Sequence, residues 1–281
     1  MVPADQYPPQ KHVHRDLRLA LENRADGSGR GWLPVVPEIL TATGSVHAGA
    51  VAVLVDVLAA GLTVRAVAPD WLATADLTLH LVETGPVEPG TEIEARARVL
   101  RRGRTTVVAG VDVVDRTDVL LGTATMTFAV LPRRDGNPVV DTGPTSFPRV
   151  SLAIDGSGLH APLLDELGIS VTDAAGGSVE VPLSDFVRNS LGSLQGGVLA
   201  TLACVSAEQA VGASCGARRD AVDLHVTYLA AARRGPVRAT ADVLTVEQDW
   251  GWARVAVVDG DDGRLCAIAR VTAASSGRVR A

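Results

Sequence analysis

The chain has 281 residues, of which 47% are hydrophobic, 21% charged and only 3% aromatic. This length accommodates two domains of ordinary size, and the composition supports a sizeable core built mostly from Val, Leu and Ala. The formal net charge of −6 argues against nucleic acid as a partner, because non-specific binding to phosphates needs a basic face.

The amino-terminal segment is proline-rich and lacks the apolar run of a secretory signal. A short helix is predicted around residues 15–23, "RDLRLALEN". His12 and His14 lie in this terminal context, and no pair of histidines in the sequence has the spacing of metal ligands. We therefore assign neither histidine to a site, and we expect no metal.

A long apolar stretch follows at residues 48–64, in which Asp56 is the one ionisable side chain. An Asp near the middle of a bilayer helix costs roughly 2.5–3.5 kcal/mol, and the stretch is shorter than the about 20 residues of a membrane span. We therefore predict a buried core helix and no membrane as a partner. Because a buried carboxylate is costly unless it is paired, a functional use of Asp56 is favoured over a purely structural one.

Alternating and β-rich segments come next along the chain. In "TEIEARARVL", Ile93, Ala95, Ala97 and Val99 alternate with charged residues, which is typical of a half-buried strand. Strands are predicted at residues 74–83, 91–100, 104–114 and 119–130. Prolines and glycines between residues 131 and 160 indicate a linker, and a short helix is predicted at residues 161–168.

The same order of elements then occurs a second time. "GSVHAGAVAVLVDVLAAGL" at residues 44–62 aligns with "GSLQGGVLATLACVSAEQA" at residues 192–210, an offset of 148. Matching strands are predicted at residues 221–230, 236–247, 252–259 and 264–274. The repeat predicts an α+β protein in which each copy wraps one apolar helix with a curved antiparallel sheet.

This pattern resembles the hotdog fold. The residues that carry the likeness are a Gly-rich turn at His47, a long apolar helix with an acid at Asp56, and four following strands. More closely, the chain resembles the PaaI-like and 4-hydroxybenzoyl-CoA thioesterases, and its duplication resembles a tandem double hotdog. The predicted boundaries are an extension with a short helix at 1–29, hotdog domains at 30–131 and 161–281, and a linker at 132–160.

The resemblance implies hydrolysis of an acyl-CoA or acyl-carrier thioester at one composite site between the two domains. Amides at the N-terminus of one helix bind the thioester carbonyl, and the carboxylate of the other helix acts as nucleophile or general base. Carried over residue by residue, the catalytic set is Asp56 from the first copy with Asn189 and Gly196 from the second. Gln195 and Gly197 are expected to bind substrate.

The other combination of the two copies is expected to be a degenerate site. It comprises Thr41, His47 and Ala48 from the first copy and Cys204 at the acid position of the second. A thiol in apolar surroundings has a raised pKa and is a poor base, and His47 is expected mainly to orient its turn. Glu208 lies one turn beyond Cys204, and we interpret it as a solvated residue near the helix end in preference to a displaced acid.

Two alternatives remain open. One is a non-catalytic acyl-CoA-binding module, because a duplicated fold with one decayed site can decay fully. The other, less favoured, is a double-hotdog enoyl-CoA hydratase, whose Asp and His pair near the helix start is missing from "SLGSLQGG" at residues 190–197.

The remaining expectations concern surroundings and partners. Three cysteines without disulfide or zinc spacing fit a reducing cytoplasm. The expected partner is a small-molecule acyl-CoA, whose coenzyme A moiety is part of the substrate, so no cofactor is expected. Further self-association of the double-hotdog unit is also expected.

Overall fold

A computed structural model describes residues 7–82, 85–135 and 146–275. Within these residues, one antiparallel sheet of thirteen strands wraps two long helices. The predicted α+β class with two tandem hotdog domains is confirmed. The exact domain boundaries stay predictions, and parts of all four predicted segments lie outside the described residues.

The first copy and the strand that follows it contain two α-helices, one short 3-10 helix (Pro37–Ile39) and seven strands among the described residues. The elements are α1 (Val13–Asp16), β1 (Ala20–Asn23), β2 (Ser28–Pro34), α2 (Ala48–Val67), β3 (Trp71–Leu81), β4 (Glu92–Arg102), β5 (Thr106–Val114), β6 (Leu120–Leu131) and β7 (Phe147–Ser151). The predicted long helix is present as α2, and the four predicted strands are present as β3 to β6. Residue 83, the last residue of the first predicted strand, lies outside the described residues.

The second copy repeats this order. Its elements are α3 (Leu163–Glu166), β8 (Ser170–Asp173), β9 (Ser178–Val181), α4 (Gly196–Cys215), β10 (Asp220–Tyr228), β11 (Val237–Val246), β12 (Trp250–Asp259) and β13 (Arg264–Ala274). The short helix and the four strands predicted for this copy are confirmed.

The helix predicted around residues 15–23 is wrong in extent. One helical turn covers Val13–Asp16, and Arg18 then adopts a positive φ of 53°, which ends the helix. Ala20–Asn23 forms β1 instead, because its backbone pairs with β2 on one side and with β7 on the other. Sheet pairing therefore overrides the local helical composition.

The two copies share one sheet through the pairing of β3 with β10. Leu77 lies opposite Val226 and Leu79 opposite Leu224, and all four side chains are buried beneath the helices. The strand order across the sheet is β7-β1-β2-β4-β5-β6-β3-β10-β13-β12-β11-β9-β8. Helix α2 packs on the strands of the first copy and α4 on those of the second, so the helices meet above the β3–β10 seam.

The two helices cross in antiparallel fashion with their backbones in close approach. A Cβ atom at Gly197 would lie 2.5 Å from Val53 Cα, and one at Gly49 would lie 2.4 Å from Thr201 Cγ2. Both glycines stand in the first turn of their helices. Each helix N-terminus is therefore pressed against the N-terminal half of the other helix.

Both long helices have the length and apolar character of membrane spans, but most of their surface is internal. In α2, 72% of the most apolar window is buried, and in α4 the share is 67%. The neighbouring strands and the partner helix account for this burial. We therefore interpret both as core helices of the hotdog domains.

Gly197→Ala tests the close helix crossing. The added methyl group has to displace backbone atoms of α2, so we expect the free energy of unfolding to fall by about 1–3 kcal/mol. Gly61→Ala is the matched control on α2, because a Cβ at Gly61 meets no atom within 4 Å. Its helix propensity should raise stability by up to about 1 kcal/mol. Equal urea-unfolding free energies for the two variants would contradict the described crossing.

Candidate active site

Asp56 lies in α2 and faces the N-terminus of α4. Its Oδ2 accepts a hydrogen bond from Gln195 Nε2 at 2.6 Å and another from the Gly197 N–H at 3.3 Å. Its Oδ1 accepts a hydrogen bond from Thr74 Oγ1 at 3.1 Å. Only 5% of Asp56 is exposed. The acid of the first copy and the glycine turn of the second therefore lie in contact, in the arrangement that the family resemblance implies.

The first turn of α4 is shaped to receive this carboxylate. Gln195 is the N-cap residue, and its Oε1 accepts the Val198 N–H at 2.7 Å, which fixes the amide with Nε2 toward Asp56. A Cβ at Gly196 would lie 2.9 Å from Asp56 Oδ1, so a glycine is required for the carboxylate to approach. Tyr228 donates to the Gly196 carbonyl oxygen at 2.8 Å and ties β10 to the same turn.

Burial sets the protonation behaviour of Asp56. Loss of water raises the pKa of its carboxyl to about 6, although hydrogen bonds from Thr74 and Gly197 act in the opposite direction. A carboxyl with this pKa is largely ionised at neutral pH and is still basic enough to take a proton from water. Burial, and to a smaller extent the negative charge of Asp56, raises the pKa of the Tyr228 phenol. Tyr228 therefore keeps its proton and remains a hydrogen-bond donor.

Asn189 takes a different place from the one expected. Its Oδ1 accepts the N–H groups of Leu191 and Ser193 at 3.0 and 3.1 Å, and its Nδ2 donates to Ser193 Oγ at 2.9 Å. The amide therefore shapes the turn before Gln195, and none of its hydrogen bonds in the described part of the chain reaches Asp56. Gln195, expected at the substrate, is the side chain that holds the carboxylate.

The second composite position lies where the N-terminal turn of α2 meets α4, and it contains Glu208 and His47. Their Oε2 and Nε2 atoms lie 3.5 Å apart, and the Glu208 Oε1 accepts the Ala221 N–H at 2.9 Å. His47 caps α2, because its Nδ1 accepts the Gly49 N–H at 3.0 Å, so the orienting role expected of it is confirmed. The interpretation of Glu208 as a solvated residue is wrong, since 9% of its side chain is exposed. Glu208 occupies the place of a displaced acid.

The two composite positions differ in their chemistry. Burial by itself would raise the pKa of Glu208, but His47, the Ala221 N–H and Arg218 together hold that pKa below its ordinary value. Burial, followed by the charge of Glu208, raises the pKa of the Cys204 thiol. The second position therefore holds a weakly basic carboxylate and an inert thiol, in contrast to the raised pKa of Asp56.

The other residues expected at the second position form its edge. Thr41 Oγ1 lies 2.7 Å from Thr43 Oγ1, which donates to Asp220 Oδ2 at 3.1 Å. Ala48 stands where the second copy has Gly196. An apolar pocket opens beside this edge, lined by Thr41, Ser45, Val46, Val51, Asp220 and Ala221 among others.

Thr74 at the Asp56 site, and the two buried histidines of the N-terminal segment, were not found from the sequence. Thr74 faces the helix because β3 has an irregular step between Thr74 and Asp76, which breaks the strict alternation of the strand. His12 and His14, which were placed in a terminal context and assigned to no site, are buried, with 0% and 5% exposed. A comparison of α1 with α3 would have drawn attention to these histidines.

Comparisons with known proteins agree with the fold. Residues 43–121 match the Thioesterase superfamily model, and this range includes His47, Asp56 and Thr74. No curated protein matches the chain. The resemblance to thioesterases at the superfamily level is confirmed, whereas the PaaI-like and 4-hydroxybenzoyl-CoA branches stay a prediction.

Several solved structures are similar over nearly the whole chain. The tesB protein of Mycobacterium avium subspecies paratuberculosis is 13% identical, with 90% of this chain and 94% of that chain covered and a TM-score of 0.58. An acyl-ACP thioesterase from Bacteroides thetaiotaomicron is 13% identical, with 88% and 98% covered and a TM-score of 0.52. A hotdog-fold protein of unknown function from Alicyclobacillus acidocaldarius is 16% identical, with 92% and 96% covered and a TM-score of 0.56. At these identities the likeness establishes the fold.

Glu208→Gln tests the charge at the second position. The amide keeps an acceptor for the Ala221 N–H but removes the negative charge beside His47, so we expect a loss of about 1–3 kcal/mol of unfolding free energy at neutral pH. The pKa of Glu208 is lower folded than unfolded, so its stabilisation is present above the unfolded pKa and disappears as pH falls through the folded pKa. Denaturant titrations of both proteins across this acidic range measure the difference, and a pH-independent gap would contradict the charge interaction.

Proposed function

We propose that the protein hydrolyses an acyl-CoA or acyl-carrier thioester at the composite site of Asp56 and the first turn of α4. The observation that carries the proposal is the buried Asp56 carboxylate, whose pKa lies near 6 and which contacts the N-terminal turn of the other helix. The superfamily match supports thioester hydrolysis in general. The choice of acyl-CoA rests on the family resemblance.

The geometry supports Asp56 as a general base. Gln195 and Thr74 hold one carboxylate oxygen each, which fixes the plane of the group. A water bound at this carboxylate would lose its proton to Asp56 while its oxygen attacks the thioester carbonyl carbon. The carbon–sulfur bond then breaks, the thiolate leaves and takes up a proton, and the acid is released.

The first turn of α4 supplies the electrostatic part of this mechanism. The Gly197 and Val198 N–H groups already have acceptors, whereas the Gly196 N–H meets no acceptor among the residues that the structure describes. Amides at a helix N-terminus carry partial positive charge and stabilise an oxyanion. In the proposal, the Gly196 N–H and the helix dipole bind the carbonyl oxygen as it gains negative charge.

A non-catalytic acyl-thioester-binding module is the second candidate. One observation favours it: both carboxylate oxygens of Asp56 already accept hydrogen bonds from protein groups, so the residue is satisfied without a substrate. Thermal stabilisation by acyl-CoA without release of free thiol would support this alternative. The cytoplasmic location and the further self-association expected from the sequence stay predictions.

Replacement of Asp56 tests the catalytic proposal. Asp56→Asn keeps the size of the side chain and removes the base, so we expect turnover of acyl-CoA esters to fall by about 100- to 10,000-fold in a free-thiol assay. Cys204→Ala is the matched control on the other long helix, and its rate should stay within about twofold of the parent. Equal rates for the parent and Asp56→Asn would refute the assignment of Asp56.

The pH dependence of turnover tests the protonation state. A base with a pKa of about 6 must lose its proton before it can act, so kcat/KM should rise with pH, with a midpoint near 6, and level off above it. Below the midpoint the rate should fall about tenfold per pH unit, and Asp56→Asn should lack this limb. If kcat/KM begins to fall only at the ordinary pKa of an exposed carboxyl, burial does not raise the pKa of the catalytic group.

A further inference from the structure

The N-terminal segment of the chain docks beside the Asp56 site. The Val13 N–H donates to the Phe186 carbonyl oxygen at 3.0 Å, and His12 Nε2 lies 2.9 Å from the Arg188 carbonyl oxygen. Residues 186–188 lead into the turn of the site, since the Gln195 N–H donates to the carbonyl oxygen of Val187 at 2.9 Å. The segment therefore crosses from the first copy to the second at the composite site.

Tyr7 brings this segment within electrostatic range of Asp56. Burial, followed by the negative charge of Asp56, raises the pKa of the Tyr7 phenol. Its ring packs edge-on against His12 and His14, with centroids 5.1 and 5.9 Å apart. The three rings form one cluster, and Tyr7 is the member of it on which the charge of Asp56 acts.

His12 has a structural role within the cluster. Its Nδ1 accepts the His14 N–H at 3.2 Å, so the ring proton is on Nε2 and is donated to the Arg188 carbonyl oxygen. Both ring nitrogens are therefore paired. His12 anchors the segment to the second copy and has no free group for a ligand.

His14 differs because its polar atom is left without a partner. The residue is 5% exposed, and its Nε2 is buried with no hydrogen-bond partner in the described part of the chain. Burial, followed by the charges of His12 and Arg15, lowers the pKa of the ring well below its ordinary value, so the ring is neutral. An unpaired buried polar group of this kind is unfavourable and requires an explanation.

The fold itself does not require a histidine at this position. Helices α1 and α3 are each one turn long, end at Leu17 and Leu167, and precede Arg18 and Gly168, both with positive φ. This correspondence places Leu164 of the second copy opposite His14. Leu164 packs against the core, so an apolar side chain is sufficient for the packing of this turn.

We infer that His14 is a substrate-binding residue of the Asp56 site, whose Nε2 forms a hydrogen bond with a neutral carbonyl, hydroxyl or amide group of the bound thioester. This inference rests on the proposed function for the identity of the ligand. A neutral imidazole suits such a group, because its tautomers let Nε2 donate or accept. Two parts of an acyl-CoA ester carry this chemistry, namely an oxygen-bearing acyl group and the amides of the pantetheine arm.

Binding to a protein that cannot turn over tests the inference. In the Asp56→Asn background, calorimetry first finds the straight-chain acyl-CoA that binds best and then compares it with its 3-hydroxy counterpart. We expect His14→Leu, which copies Leu164, to weaken binding by about 5- to 100-fold. A loss limited to the 3-hydroxy ester assigns the contact to the acyl group, and an equal loss for both esters assigns it to the pantetheine arm.

Controls separate this role from packing. His14→Phe keeps an aromatic ring against Tyr7 and His12 without the nitrogen, so it should lose affinity as His14→Leu does. His160→Leu removes an exposed histidine and should leave affinity unchanged. Unchanged affinity in both His14 variants would overturn the inference, whatever their stability. If no acyl-CoA ester binds the Asp56→Asn protein, the proposed function fails, and the inference that depends on it fails too.

Discussion

The close antiparallel crossing of α2 and α4 is the contact on which the rest of the structure depends. Glycines at positions 49 and 197 let each helix N-terminus press against the N-terminal half of the other helix. The pairing of β3 with β10 holds the two helices in this register. As a result, the positive end of each helix lies beside an acidic side chain of the other, and two composite positions arise from one pseudo-symmetric frame.

The two positions have diverged within that frame. At one, the short Asp56 side chain meets a glycine turn and an amide cap, and burial raises its pKa. At the other, Glu208 reaches from one turn further and faces the imidazole of His47, and its pKa is lowered. A base matched to neutral pH is thus present at the first position and missing from the second. The frame explains how a duplicated chain can hold a raised-pKa acid at one position while a carboxylate and an imidazole face each other at the other.

The elements that follow from the internal repeat and from regular hydrophobic periodicity could be predicted from the sequence. The contacts that depend on a local irregularity of a strand or on the reach of one side chain could not. The offset of 148 aligned the turn at His47 with the turn at Gln195, and the family resemblance, in which two hotdog copies share a site, brought Asp56 to Gly196. Thr74 was missed because a bulge in β3 turns its side chain inward, against the alternation set by Leu77 and Leu79. Glu208 was misjudged because its longer side chain spans one turn, a reach that an alignment does not contain.

The N-terminal segment shows the same limit more strongly. One helical turn has no measurable periodicity, so nothing in its local pattern predicted that His12 and His14 would be buried. Their burial depends on docking against residues 186–188, which are far away in sequence. These contacts distinguish the first copy from the second, which it otherwise resembles. They involve residues 186–188, which lead into the turn that faces Asp56.

A crystal structure with a non-hydrolysable acyl-CoA analogue, in which a methylene group separates the carbonyl from the sulfur, would show which helix turn binds the carbonyl. We expect the analogue's carbonyl oxygen within hydrogen-bond distance of the Gly196 N–H, with its carbonyl carbon facing Asp56. An analogue bound with its carbonyl at the Ala48 turn, beside His47 and Glu208, and absent from the Asp56 site would contradict this expectation.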